Sequence, residues 1–345
     1  MAYSADTEYM LDVLKRLLAV DSPTGFTEKA TEFTVNELKQ LGYASSVTRK
    51  GSVLADIGGE GRPLILTAHL DTIGAMVAQV KANGRLKITN LGGIRPVTCE
   101  TENVRIYARN GKVYDGCLQL NNPSVHVNRE AGSTERTYDN TEIVIDENVH
   151  TKEETLALGI TNGCFICFDT RTVQTESGYL KSRYLDDKLA AAILLELAKR
   201  VKEGKASLNR KVYLFFTTYE EVGHGGKGGL PEDAEEILAV DMGCIGEGLD
   251  GSETKVSICA KDAHGPYDHS VTSELVRLAE ENGLQYAVDV YLNYSSDAQA
   301  AIAAGYDLKH ALIGPGVYAS HGYERSHVRG AENTLALIEA YLKQE

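Results

Sequence analysis

Two short runs of continuous apolar residues constrain the fold most: LILTA at residues 64–68 and LFFTT at residues 214–218. Neither alternates polar and apolar positions, so each suits a central strand covered on both faces. Each also ends abruptly in ionisable residues. His69 and Asp71 follow the first run, and Glu220 and Glu221 follow the second. Adjacent carboxylates at the mouth of a sheet repel each other and lose hydration. A compensating cation is expected there, with one carboxylate as ligand and the other free to move protons. Taken alone, the stretch reads equally well as a solvated loop that carries two acids.

The rest of the chain alternates strands with helices. Residues 9–18 and 28–41 have helical apolar spacing, with Thr27 placed as an N-cap in the link DSPTGFTE. Residues 46–49 and 53–57 are strand-like. After Ser182, helices are expected over 186–201, 268–282, 296–304 and 331–343, and strands over 212–218, 237–240, 256–260, 286–292 and 308–313. This alternation predicts an α/β fold whose mostly parallel sheet is flanked by helices. From residue 72 to about 175 the texture changes to short β-prone pieces separated by NG, LGG, RNG and NNP. Only residues 151–158 suggest a short helix, so a small all-β insertion is expected. The expected division is an α/β domain of residues 1–72 and 176–345 with an inserted β domain of residues 73–175.

Composition narrows the partners. A chain of 345 residues, 43% of them hydrophobic, can bury a sizeable core. The net charge of −14 argues against nucleic acid and anionic membranes, which need a basic face. The start, MAYSADTEYM, lacks the basic and apolar regions of a signal peptide, and no apolar run reaches membrane-spanning length. A cytoplasmic protein is therefore expected. Of the six cysteines, only Cys164 and Cys167 form a CxxC, inside strand-like NGCFICFDT. They are expected to be partly buried thiols without a disulfide in a reducing compartment.

Open α/β sheets gather ligands at the carboxyl ends of their strands. His69, Asp71, Glu220 and Glu221 have that placement, Asp241 follows ILAV, and His321 follows ALIG and a glycine-proline loop. Asp186 and Asp187 open DDKLAAAILLEL, where a helix N-terminus favours carboxylates with or without a metal. Each has a plainer role on its own: a packed histidine, a loop acid, a helix cap. His321 also competes with His264, His269 and His327. The joint placement is the specific feature. Oxygen and nitrogen ligands with one bridging carboxylate suit a pair of divalent ions such as zinc, cobalt or manganese.

The segments TAHLDTIGAMV, SRYLDDKLA, TTYEEVGHGG, AVDMG and SHGYE resemble, in order, the metal-site motifs of the M42 family of metallo-aminopeptidases in clan MH. KDAHGPYDH and YSSDAQAAIAAG are softer matches. The resemblance runs from residue 9 to the C-terminus and covers the insertion by type only. It implies that His69 and Asp241 hold one ion, Glu221 and His321 the other, and that Asp186 bridges them. It also implies that Asp71 hydrogen-bonds the far nitrogen of His69, and that Glu220 is the general base and then the acid. The implied activity is release of N-terminal residues from short peptides. The insertion would be a dimerisation domain, with dimers assembling into tetrahedral dodecameric shells. One departure concerns loop shape and substrate fit: the family often has His-Ser-Pro where this chain has His321-Gly322-Tyr323. Three other readings compete. A deacylase or amidase would use the same ions. A glucanase would leave the histidines idle, and the chain has no tryptophan for sugar stacking. A non-catalytic scaffold would need a broken ligand set, whereas every expected position is filled.

Overall fold

The computed structural model describes residues 7–344. Helices α1 (Glu8–Leu18) and α2 (Glu28–Gln40) precede strands β1 (Ser45–Val47), β2 (Val53–Gly58) and β3 (Leu64–His69). Then come β4 (Gly74–Val80), β5 (Leu86–Leu91), α3 (Pro96–Cys99), β6 (Asn103–Tyr107), β7 (Val113–Leu120), β8 (Thr141–Ile145), α4 (Lys152–Ala157) and β9 (Phe165–Phe168). Next are β10 (Val173–Gln174), β11 (Tyr179–Ser182), α5 (Leu185–Lys202), β12 (Val212–Thr217), β13 (Glu236–Val240), β14 (Gly243–Ile245) and β15 (Val256–Lys261). The last elements are α6 (His269–Glu281), β16 (Tyr286–Val290), α7 (Asp297–Ala303), β17 (Lys309–Tyr318), β18 (Glu324–His327) and α8 (Val328–Leu342). Residues 7–71 with 171–344 form one compact unit, and Thr72–Thr170 form a second.

In the first unit the two apolar runs lie side by side. Strands β12, β3, β13 and β17 are parallel neighbours, in register so that Thr217 stands opposite His69. Every residue of β3 and of β13 is buried, which explains why neither alternates polar with apolar side chains. Helices α5, α7 and α8 pack on these strands. Helix α5 is alanine- and leucine-rich on all sides because it is buried along most of its length. Among the described residues no helix is long and apolar enough to cross a membrane.

Parallel pairing is confined to the centre and to two short flanking pairs. Strands β2 and β1 add antiparallel beyond β12, and β15, β18, β11 and β10 add antiparallel around β17. The sheet is therefore mixed, where a mostly parallel one was expected. Strand β17 also runs further than expected. The sequence suggests that this strand stops before Gly314-Pro315-Gly316, but the backbone runs straight through to Tyr318. These glycines serve close approach rather than a turn. A Cβ at Gly314 would lie 1.4 Å from the main-chain oxygen of Asp241, and one at Gly316 would lie 2.1 Å from that of Ser252. The extension past Gly314 gives β14 its partner and meets β18 at Tyr318, opposite Arg325.

The second unit is a closed barrel in the order β4-β5-β8-β7-β6-β9, with Ala75 of β4 paired to Ile166 of β9. Closure leaves no free edge. Two short helices accompany it, so the insertion is not all-β. Helix α4 falls within the expected stretch because Thr151 and Glu154 form a reciprocal capping box. Cys164 and Cys167 are both buried, and no described cysteine is in a disulfide.

The glycine packed against Asp241 gives a test. Gly314→Ala should cost roughly 3 kcal/mol or more, since backbone must move to admit the methyl group. Gly228, with open space at its Cβ, should tolerate alanine within about 0.5 kcal/mol. Equal melting temperatures for the two variants would contradict the packing described.

Candidate metal centre

Strand β3 delivers His69 to the carboxyl end of the sheet. The main-chain N–H of His69 donates to Asp187 Oδ2 at 3.1 Å. Its ring Nδ1 lies 2.7 Å from the main-chain oxygen of Asp71. A carbonyl can only accept, so Nδ1 carries a proton and Nε2 is the atom turned to the centre. There it meets Asp186 Oδ1 at 3.1 Å and Glu220 Oε2 at 3.8 Å. The contact expected from Asp71 to the far nitrogen is thus made by its main chain, with its carboxylate 3.8 Å away. The carboxylate is engaged elsewhere. It accepts from Thr24 Oγ1 at 2.6 Å and from the N–H groups of Glu220 and Glu221 at 3.1 and 3.3 Å. Asp71 fixes where the glutamate pair sits.

That pair leaves β12 through Tyr219, whose φ of +69° is left-handed, and occupies a single 3₁₀ turn over Glu220–Val222. The far end of the loop is also held. The Asp297 carboxylate, at the start of α7, accepts from the N–H of Gly226 at 2.6 Å and from the Thr217 hydroxyl. Lys50 Nζ donates to the carbonyls of His224 and Gly225 at 2.5 and 3.1 Å. A Cβ at Gly225 would lie 2.4 Å from Asp297 Oδ1, so only glycine lets the loop approach this closely.

Asp186 and Asp187 sit at the start of α5 but have non-helical backbone angles, so they are not ordinary helix caps. Each oxygen of Asp186 faces a different imidazole. Oδ1 is 3.1 Å from His69 Nε2, and Oδ2 is 3.4 Å from His321 Nε2. His321 Nε2 also lies 3.5 Å from Glu221 Oε2. Donor atoms of His69, Asp186 and Glu221 all fall within 4.8 Å of one another, as do those of His69, Asp187 and Asp241. The centre therefore gathers His69, Asp186, Glu220, Glu221, Asp241 and His321. Two competing histidines are engaged elsewhere: His327 caps α8 and bonds the Ser177 carbonyl, and His269 faces Ser273 on its own helix.

So many acids in one buried place perturb one another. Burial, then the fields of Asp241, Asp297 and Glu221, raise Glu220 well above the usual range, against the opposing field of His69. Burial and the Asp186 field push Glu221 up to about 8. Burial pushes Asp241 up to about 7. Asp186 runs the other way: burial opposes its charge, but hydrogen bonds from His321 and His69 hold it below the usual range. Burial lowers His69, yet the Asp186 hydrogen bond and the surrounding carboxylates outweigh it and raise the ring well above its ordinary value. His321 is pushed up to about 9 by Asp186 and Glu221, again against burial. The donor set fits divalent cations: imidazole nitrogens, carboxylate oxygens, and a buried Asp187 Oδ1 without a hydrogen-bond partner. A cation there reverses the penalty that raises these acids.

The sequence offers Asp187 only as half of an acidic pair at a helix start, gives Lys50 and Glu324 no role, and marks the segment of Asp297 only by a soft match. Lys50 left no signal, because it acts on main-chain carbonyls that no motif records.

Comparison with known proteins places this geometry. The family described as M42 glutamyl aminopeptidase matches residues 51–337. The chain is 42% identical to YhfE of Bacillus subtilis (strain 168) over 335 residues, which is 96% of this chain and 97% of that one. It is 22% identical to the lysyl aminopeptidase of Pyrococcus furiosus over 345 residues, 96% of each chain. The fold superimposes on the Pyrococcus horikoshii TET1 peptidase, described as able to assemble into a tetrahedron or a large octahedral shell. The TM-score is 0.84 at 24% identity, over 97% of this chain and 100% of that one. The matched span includes every residue gathered at the centre, and the chain belongs to the M42 family of aminopeptidases, which are peptidase hydrolases.

Proposed function

We propose that this chain is a two-metal aminopeptidase that releases N-terminal residues from short peptides, with Glu220 as the proton carrier. The supporting observation is Asp186 between two imidazoles, with Glu220 beside His69. His69 and Asp241 would hold one ion, Glu221 and His321 the other, and Asp186 both. Zinc, cobalt and manganese suit these donors. Bound ions supply the acidity that activates a water and the polarisation of the scissile carbonyl.

The chain's own residues do the rest. Glu220 is 14% exposed at its side chain, so water and substrate reach it. It takes a proton from the attacking water and hands it to the nitrogen of the breaking C–N bond. Asp71 holds it in place through two main-chain N–H bonds. The proton on His69 Nδ1 keeps Nε2 available as a ligand. A free α-amine on the substrate pairs with the surplus carboxylates, which restricts cleavage to the chain end. The inserted barrel is the dimerisation domain, and dimers build a dodecamer, the assembly described for PhTET1-12s.

Glu220→Gln should retain metal and lose about 10²–10⁴-fold in kcat. Near-normal turnover of an aminoacyl anilide in metal-loaded variant would remove Glu220 from the reaction. Asp186→Ala should bind neither ion tightly, so zinc should raise its melting temperature far less than that of the wild type. Two ions per chain by metal analysis would refute the bridging role. Native mass spectrometry should find a twelve-subunit species, and a monomer at micromolar concentration would exclude the shell.

A further inference from the structure

The bridging aspartate and the histidine proposed for the second ion come from distant parts of the chain, and a buried carboxylate bonds the backbones of both. Glu324 opens β18 and pairs in register with Ser182 at the end of β11. The chain goes straight on from Ser182 through Arg183 to Asp186, so this pairing sets Glu324 beside the segment that carries the bridging aspartate. Glu324 is only 2% exposed. Its Oε2 accepts the main-chain N–H of Asp186 at 3.2 Å, and its Oε1 accepts that of His321 at 3.2 Å.

His321 needs such a hold. Its φ is +62°, and that of Ala319 is +58°. Left-handed backbone at residues with a Cβ costs on the order of 1 kcal/mol each and persists only where surroundings enforce it. The Glu324 bond spans the turn from residue 321 to 324, and the N–H of Gly322 bonds the Ala319 carbonyl at 3.0 Å. A second tie joins the same segments: Arg183 Nη1 donates to the Gly322 carbonyl at 3.2 Å. Together these contacts set the 3.4 Å approach of His321 Nε2 to Asp186 Oδ2.

We propose that Glu324 is a positioning residue. One carboxylate, taking one N–H on each oxygen, fixes the spacing of Asp186 and His321 and so shapes chiefly the pocket for the ion that His321 and Glu221 hold, because His321 belongs to that pocket alone. The proposal rests on the two-metal reading above. The residue type follows from the donor count. A glutamine has one acceptor oxygen and would turn its NH₂ toward the other N–H, so it cannot satisfy both. An aspartate keeps both acceptors on a shorter stem.

The test is a titration of metal-stripped protein with cobalt and with zinc, following heat and the visible spectrum of bound cobalt. Wild type should take up two ions in separable steps. Glu324→Gln should weaken one step by about 10–100-fold, the usual effect of losing a residue that orients a ligand, and leave the other within about twofold. The cobalt spectrum of the weakened site should change, and Glu324→Asp should recover part of the loss. If Glu324→Gln does not fold, Glu324→Asp must still show the selective loss in milder form. Two wild-type affinities with unaltered spectra, or an equal loss at both steps, would overturn the positioning role. Fewer than two ions on the wild-type protein would instead sink the two-metal reading, and this inference with it.

Discussion

Packing carboxylates into one desolvated place at the end of a sheet is the constraint from which the rest follows. Asp71, Asp186, Asp187, Asp241, Asp297 and Glu324 are all buried, and Glu220 and Glu221 adjoin them. An uncompensated buried charge costs several kcal/mol, so such a cluster persists only with partners. The structure provides those partners in two layers. The inner acids face His69, His321 and one another. The outer acids accept main-chain N–H groups: Asp71 from Glu220 and Glu221, Asp187 from His69, Asp297 from Gly226, and Glu324 from Asp186 and His321.

This arrangement explains why the loops are so specific. Strand ends leave main-chain donors without ladder partners, and buried donors must be paired. The outer carboxylates pair them and, in doing so, set the distances among the inner donors. Left-handed angles occur at Tyr184, Tyr219 and His321, beside or at the inner residues. Part of the backbone strain thus sits where chemistry requires a particular geometry, while Thr101 and Arg171 carry left-handed angles elsewhere.

The apolar runs LILTA and LFFTT were readable as central strands because burial on both faces removes alternation. The acids and histidines at their ends were readable because strand ends are where open sheets bind ligands. The extended path through Gly314-Pro315-Gly316 was not readable. Its glycines answer to Asp241 and Ser252, far away in sequence, while their composition mimics a turn. The short strand β14 depends on that path and was not readable either. Glu324 was hidden for a similar reason: it sits within the SHGYE string that marked His321, but its work is on main-chain atoms. The same holds for Asp71, whose carbonyl meets His69 and whose carboxylate acts on the glutamate loop.

Anomalous diffraction from crystals soaked in zinc, recorded at the zinc absorption edge, addresses the central claim most directly. The account predicts two peaks a few ångströms apart, one by His69 and Asp241, the other by Glu221 and His321, with Asp186 reaching both and Glu220 touching neither. A single peak, or peaks remote from these residues, would contradict it.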